Sequence, residues 1–393
     1  MRNLLLATTA VAAVSLAAQS AQAQLVVSLG GYTEFFGAYY DDDASNRTSR
    51  EFALETEIVV RADGKADNGL LYGAKVELQN SIGAASNSVG TDEASVYLGG
   101  TWGRIELGDF DGAADTLSIY APLIGVEQID GDGYLFLENT PDVGPRAGFA
   151  LGGLPTGSVV QAPDSGDATK IMYLTPRFAG IQAGVSYATQ DGSEGQDVVG
   201  FKTAGGYKDF WEFGANYTGE FSGFSVAAGA TGSTATGQDL GTVGGPSLED
   251  FWAWQVGGQV GFGGFAVGGG YIDGGDYNAV SGVPATSGDT SIWHVGVSYT
   301  AGPLAVGLSY ADAEGFKGGP EFDDFGGVTP ATYASSYKTY GGGAAYTLAP
   351  GFVVQGDVMY VDEDLRNVDA ATGATSTTSN EGIVAILSTR LDF

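Results

Sequence analysis

The stretch SIWHVGVSYTAGPLAVGLSYAD, residues 291–312, contains two alternating segments joined by a short turn. In its second half every other residue is large and apolar, and the residues between them are small or polar. The apolar set is Leu304, Val306, Leu308 and Tyr310. A period of two predicts β-strands with one apolar face. Strands of roughly ten tilted residues are just long enough to cross the hydrocarbon core of a bilayer, so the stretch predicts a transmembrane hairpin.

The same hairpin pattern recurs in four other segments of the chain. They are residues 169–189, 210–232, 251–273 and 338–362. Longer stretches rich in Gly, Ser, Asp, Thr and Pro separate them, so short turns alternate with long loops. Such a repeat is typical of an antiparallel barrel whose hairpins follow one another around the wall.

Aromatic residues mark two levels in these hairpins. Tyr217, Tyr299 and Tyr346 come just before short turns; Tyr187, Tyr271, Tyr310 and Tyr360 close the return strands; Trp211, Trp252 and Trp293 stand near the outer strand starts. Rings at two levels flanking an apolar band predict the girdles of a membrane barrel. The alternative is cross-strand aromatic pairing in a soluble sandwich.

Five further strands precede the hairpins. They are predicted at about 25–40, 48–62, 69–80, 92–101 and 103–109, and a last strand at 382–393. With the ten hairpin strands this gives 16 strands, an all-β, antiparallel transmembrane barrel. Closure leaves no unpaired strand edge in lipid, where unsatisfied backbone groups are costly.

The first residues predict an export signal. Arg2 precedes an apolar run from Leu4 to about Ala18, and Ala21-Gln22-Ala23 is an A-x-A cleavage site. We therefore expect a signal peptide at 1–23, cleavage before Gln24, and a barrel domain over 24–393. The alternative, an anchor helix, would need a longer apolar run.

The charge balance excludes some functions. The chain has 47 acidic and 16 basic residues, a net charge of −31, which argues against a nucleic-acid partner. Its single histidine, His294, has no triad partners at a recognisable spacing, so we expect no enzyme. No cofactor is expected beyond loosely bound Ca²⁺ at acidic loops such as residues 39–45, which are otherwise a solvated surface.

One segment breaks the alternation. From Ile105 to Pro145 the chain has nine acids and no Lys or Arg, yet it also carries Leu, Ile, Tyr and Phe. A strand therefore leads into a long, acidic and partly apolar segment.

Taken together, the chain resembles the general diffusion porins of Gram-negative outer membranes, especially the alphaproteobacterial ones. The resemblance rests on QLVVSLGGYTEFFGAYY at 24–40, LGDFDGAADTL at 107–117, the repeated GVSY hairpins and the final Phe393. It covers nearly the whole chain after residue 23.

The resemblance implies that the long loop after the fifth strand, 110–168, folds into the barrel and narrows it. Leu117, Ile119, Tyr120 and Leu123 would pack on the barrel interior, and residues 146–168 would form an extra excursion or a surface lobe. The acids expected to face the water path at the constriction are Asp109, Asp111, Asp115, Glu127, Asp130 and Asp132.

The resemblance also implies an outer-membrane location surrounded by lipid and a homotrimer. Outward Gly31, Gly37, Ala74 and Ala94 would suit flat contacts between barrels. Phe393 would be the signal that the barrel-assembly machinery reads on the C-terminal strand.

Alternation assigns the lumen wall in the early strands. The inward charged set is Glu55, Glu57, Arg61, Lys75, Glu77, Arg104 and Glu106. Facing lipid at the midplane, such charges would cost about 2–4 kcal/mol each. Two interpretations stay open. Wall bases oppose loop acids in a transverse field, or pairs such as Glu57 and Lys75 neutralise each other.

These features predict a water-filled channel for small hydrophilic solutes and ions, with a preference for cations because acids dominate the path. The alternatives are a solute-specific channel and a structural or adhesin barrel with a plugged lumen.

Overall fold

The computed structural model describes residues 25–42, 48–80, 89–130, 133, 136–137, 158–192, 206–240, 247–281, 290–317, 332–368 and 375–393. Within them the chain forms one closed antiparallel barrel in which each strand pairs with its sequence neighbours and the first strand pairs with the last. The predicted count of sixteen strands is confirmed.

The strands alternate between short turns at one end and long loops at the other. Their bounds are β1 Val26–Asp42, β2 Arg50–Lys65, β3 Leu71–Asn80, β4 Gly90–Gly100, β5 Gly103–Asp109, β6 Thr169–Leu174, β7 Ile181–Gln190, β8 Tyr207–Phe221, β9 Phe224–Gly237, β10 Phe251–Phe262, β11 Phe265–Gly275, β12 Thr290–Ala301, β13 Leu304–Lys317, β14 Thr332–Ala349, β15 Phe352–Val368 and β16 Thr375–Asp392. Between β5 and β6 lie a short helix, α1 (Ala113–Leu117), and a 3-10 turn (Gln128–Asp130).

Several strands run beyond their predicted ends on the long-loop side. β16 begins at Thr375, seven residues before the expected start at residue 382. The apolar alternation marks only the part of a strand that crosses lipid, whereas backbone pairing continues beyond it. Among the described residues, no helix has the length and apolar character needed to cross a bilayer.

The two faces of the sheet differ as the period of two requires. On β2, Leu54 is 53% exposed while the next residue, Glu55, is 8% exposed. On β5, Leu107 is 37% exposed and Glu106 is 7% exposed. The outer face is therefore apolar and open to lipid, and the charged side chains point into the barrel.

Ring contacts occur at both aromatic levels. At the long-loop end, Tyr310 lies 4.9 Å from Trp293 and 4.7 Å from Tyr340, measured between ring centroids. At the short-turn end, Phe265 and Tyr299 are 4.4 Å apart. Rings at the ends of an apolar band are placed where the bilayer meets water.

The barrel interior holds the core. One cluster joins β1 and β11–β16 to the segment after β5, and includes Phe36, Ile129, Val160, Ile292 and Met359. A second cluster lies near the long-loop ends of β7–β11. Hydrophobic burial thus occurs inside the barrel, on the side that the loop covers.

The barrel closes at the seam between β1 and β16. Gly31 N–H donates to the Phe393 carbonyl oxygen at 3.1 Å, and Phe393 N–H donates to the Gly31 oxygen at 3.0 Å. The last residue thus belongs to the sheet, and its ring stays 42% exposed.

Candidate channel interior

The segment after β5 crosses the barrel interior from β6 toward β15. Phe110 is buried beside Met172 of β6, and α1 then packs against β7, β8 and β9. The helix has only five residues and ends where Ser118 adopts an extended conformation. Leu117, fully buried, closes the helix against the wall. The predicted inward packing of this apolar set is confirmed, since Tyr120 and Leu123 also pack on the interior cluster.

Polar side chains of the wall bind the backbone of this segment. Glu212 accepts a hydrogen bond from Ala114 N–H at 3.0 Å, and Asp357 accepts one from Gln128 N–H at 2.6 Å. Ser186 and His294 also accept hydrogen bonds from the N–H groups of Ala113 and Ala121. Asn216 and Gln259 donate to the carbonyl oxygens of Leu117 and Tyr120. A loop has no regular ladder of its own, so these bonds satisfy backbone groups that would otherwise be buried unpaired.

The returning half of the loop lies inside as well. Gln255 of β10 accepts from Ala162 N–H and donates to the Val160 carbonyl, both at 2.8 Å. Ser165 donates to Glu212 through its N–H at 3.1 Å and its hydroxyl at 2.6 Å. Of the two alternatives for residues 146–168, an extra excursion or a surface lobe, the described part 158–168 does not form a surface lobe, because inward amide and carboxyl groups bind it. Residues 138–157 lie outside the described residues.

The predicted constriction acids do not act as one set. Asp111 and Glu127 are exposed inside the barrel, as expected of groups on a water path. Asp130 instead accepts hydrogen bonds from the Ser158 hydroxyl at 2.6 Å and from Val159 N–H at 3.2 Å. Asp115 accepts one from the Gln161 side chain. These two acids join the halves of the loop.

Asp109 lies on the other face of the sheet. It follows the exposed Leu107 on the same side of β5 and accepts a hydrogen bond from the Thr169 hydroxyl at 2.5 Å. The expectation that Asp109 faces the water path is therefore wrong, because the period of two continues to the end of the strand. Asp132 lies outside the described residues.

The predicted wall residues do face the interior. Glu55 is buried and accepts hydrogen bonds from Tyr32 and Gln79, each at 2.9 Å. Glu57 is half-buried and Arg61 is exposed. Arg104, whose side chain is 42% exposed, pairs with Glu106 at 2.8 Å.

The pairing of Lys75 differs from the expected one. Its ammonium binds Glu77 at 3.1 Å and Glu93, and not Glu57. A bulge between β3 and β4 changes the register there, which allows Glu93 to reach inward. Lys75 and Arg104 therefore pair with wall acids, which agrees with the second of the two interpretations left open above, neutralising pairs, although the partners of Lys75 are Glu77 and Glu93.

Sequence reasoning missed the side chains that hold the loop. Glu212, Gln255 and Asp357 are 1%, 2% and 6% exposed and bind loop backbone. Glu34 on β1 was also missed; it accepts hydrogen bonds from Ser388 at 2.5 Å and Gln355 at 2.8 Å. A signal existed, since Glu212 follows Trp211 in an alternating strand and must point inward.

Among the described residues, two groups of three carboxylates have close oxygens inside the barrel. Glu57, Glu77 and Asp92 form one group, and Glu93, Asp111 and Asp167 the other, with one oxygen from each residue within 4.8 Å of the others. Such groups could hold a divalent cation. Weak calcium binding stays a prediction, which equilibrium dialysis with Ca²⁺ would measure. Residues 43–45 of the acidic stretch 39–45 lie outside the described residues.

Asp164, in the returning half of the loop, has a perturbed ionisation. Partial burial, and next the charge of Glu212, raise its pKa from 3.8 to about 8. Gly166 N–H donates to its carboxyl at 2.8 Å. The folded chain thus holds this proton more tightly than the unfolded chain, so the associated stability is full below about pH 4 and is lost as pH rises through 8.

We expect the backbone amides of residues 158–168 to lose hydrogen-exchange protection between pH 5 and pH 9, because Asp164 then ionises beside Glu212. Asp164→Asn keeps the oxygen that accepts from Gly166 and removes the titration, so its protection factors should stay constant. Equal protection of the parent at both pH values would contradict this expectation.

Comparisons with known proteins agree with this geometry. The family profile described as Gram-negative porin matches residues 7–366. A curated relative, a porin of Rhodobacter capsulatus, is 34% identical over 97 residues, which is 25% of this chain and 29% of the relative. The aligned part thus spans less than a third of that relative's length.

Solved structures share the fold. A triple mutant of the Rhodopseudomonas blastica porin matches with a TM-score of 0.55 and 18% identity, covering 93% of this chain and all of that one. The anion-selective porin of Comamonas acidovorans matches with a TM-score of 0.58 and 17% identity, covering 94% of this chain and all of that one. With a matching profile over most of its length and a closed sixteen-strand barrel, this chain belongs to the Gram-negative porin family.

Proposed function

We propose that the chain is an outer-membrane channel for passive diffusion of small hydrophilic solutes and ions. The observation that carries the proposal is the one-sided position of the loop. It packs on the inner faces of β6–β16 and β1, while Arg61 of β2 and Arg104 of β5 keep contact with water. Charged side chains inside a barrel and open to water are typical of porin lumens.

Single-channel recording in a planar bilayer tests this function. We expect stepwise, ohmic conductance from the purified, refolded chain, and swelling of liposomes in isotonic solutions of small sugars. A barrel that inserts but carries no current would instead support a structural role with a plugged lumen.

We further propose that the channel prefers cations. Arg390 is bound by Glu34 at 3.4 Å and by Asp392 at 2.9 Å, and Lys75 by two glutamates, so these bases are already neutralised. Glu57, Glu77 and Asp92 add acid charge to the same wall. The structurally similar porin of Comamonas acidovorans is anion-selective. The same barrel fold therefore does not determine whether cations or anions are preferred, and we assign that preference to the wall residues.

We also propose a homotrimer. An apolar groove on the outer surface is lined by residues of β11–β16, β1 and β2; the lining includes the small residues Gly342, Ala344 and Gly356 and the rings of Phe35 and Phe52. Gly37, one of the small outward residues expected to suit barrel contact, lines the same groove. Small residues allow two barrel walls to approach closely, as they do for membrane helices.

We expect Ala344→Trp to lower the trimer fraction on unheated gels, because the new ring would occupy the groove and keep the neighbouring barrel at a distance. Ala230, exposed on β9 and outside the groove, provides the matched control Ala230→Trp, which should stay trimeric. A parent that cross-links only as a monomer in native membranes would contradict the trimer and leave the channel function untouched.

Export and assembly complete the proposal. The A-x-A site at Ala21–Ala23 supports cleavage before Gln24, and the exposed ring of Phe393 at the seam supports recognition by the barrel-assembly machinery. N-terminal sequencing of the outer-membrane fraction should begin at Gln24, and deletion of Phe393 should lower assembly yield. Recovery from the soluble periplasm would contradict both statements.

A further inference from the structure

Inward-facing glycines lie at one level around the covered side of the barrel. We call the following set the glycine belt: Gly184, Gly214, Gly229, Gly257, Gly307 and Gly343. Three direct cross-strand pairs connect members of the belt, Gly184 with Gly214, Gly229 with Gly257, and Gly307 with Gly343. Register, and not sequence spacing, places them side by side.

The loop backbone lies directly on the belt. A Cβ atom at Gly257 would overlap the carbonyl oxygen of Ile119, and one at Gly343 would overlap the carbonyl oxygen of Ile124. At Gly229 a Cβ would be 3.0 Å from the Leu117 carbonyl oxygen. Even an alanine at these positions would therefore displace the loop from the wall.

Neighbouring side chains hold the loop at this depth. Asn216, the cross-strand partner of Gly229, donates to the Leu117 carbonyl at 3.1 Å. Gln259, two residues after Gly257 on β10, donates to the Tyr120 carbonyl at 2.6 Å. The side chains of Asn216 and Gln259 reach the loop carbonyls only if the loop lies close to the wall. The missing Cβ atoms of the glycine belt leave room for that short distance.

We propose that the glycine belt sets how close the loop lies to the barrel wall, and thereby the largest solute that can pass through the channel. This inference rests on the proposed diffusion function and names the wall positions that determine its selectivity for size. Anchored at Glu212 and Asp357, the loop can yield to a new methyl group only by bowing toward the opposite wall. Carbon and oxygen atoms in contact need roughly 3.5 Å, so one added Cβ narrows the water path.

Gly257→Ala is the direct test. We expect single-channel conductance roughly 1.5-fold below the parent, and a larger fall in the liposome swelling rate for larger sugars than for the smallest. The matched control is Gly258→Ala, on the next residue. Gly258 faces outward, and its Cβ would meet only the Ala227 carbonyl oxygen at 3.4 Å, so conductance should stay at the parent value.

Two further measurements keep the test decisive. Gly229→Ala has the milder contact and should assemble even if Gly257→Ala does not; it should also lower conductance. Hydrogen exchange of residues 117–124 should show lower protection in both belt variants, whether or not the parent conducts. An assembled belt variant with the conductance and exchange protection of the parent would overturn the proposal that the glycines position the loop. A parent without conductance but with the expected exchange changes would contradict only the proposed channel function.

Discussion

Replacing Glu57 and Glu77 by glutamine is expected to lower the cation-over-anion permeability ratio by roughly twofold or more, because both carboxylates stand on the inner wall beside Asp92. Lys75 would keep Glu93 as a partner, so its charge stays neutralised. The measurement is the reversal potential in a KCl gradient, which should move toward zero. Its shift should be larger near 0.1 M than near 1 M salt, since the Debye length falls from about 10 Å to about 3 Å.

Asp109→Asn provides the matched control for this experiment. It also removes a wall carboxylate, but this one lies on the outer side of β5, where it accepts a hydrogen bond from Thr169. Its reversal potential should equal that of the parent. A double variant at Glu57 and Glu77 with unchanged selectivity, or an anion-selective parent, would refute the assignment of selectivity to this wall.

Replacing Glu212 by alanine is expected to release the loop from β8. This carboxylate accepts from Ala114 N–H, Ser165 N–H and the Ser165 hydroxyl, and so binds the outgoing and the returning half of the loop at one point. Two buried N–H groups left without an acceptor cost about 1–3 kcal/mol each. Together these costs of about 2–6 kcal/mol would raise the population of the detached loop by roughly 30-fold to roughly 3 × 10⁴-fold.

Open-channel current noise and hydrogen exchange of residues 113–117 and 158–168 measure that release. Glu212→Gln keeps the size but leaves one accepting oxygen, because Ala114 uses one carboxylate oxygen and Ser165 the other. Its NH2 group would face the donor of one half of the loop, so its noise should lie between those of the parent and Glu212→Ala. Ser165→Ala removes only the hydroxyl donor and should have a smaller effect than Glu212→Ala. A quiet, fully protected loop in Glu212→Ala would show that other wall contacts suffice to hold it.

The barrel could be predicted from local pattern because the side of a strand on which a residue lies is a local property. Leu54 and Glu55 need no knowledge of distant residues to be assigned to lipid and lumen. The same period applied to β5 would have placed Asp109 outside; treating it as part of the loop caused that error. The apolar alternation does not locate the strand ends, because pairing in β16 continues past it to Thr375.

The sequence by itself therefore determined the strand count, the two faces of the wall and its excess of acid, all of which follow from a repeat of two residues and from composition. Only the tertiary structure decided which groups meet. Glu212 binds Ala114, 98 residues away, and Asp357 binds Gln128, 229 residues away. The loop has no period that would orient Asp115 or Asp130, so barrel closure, strand register and the depth allowed by Gly257 set their positions.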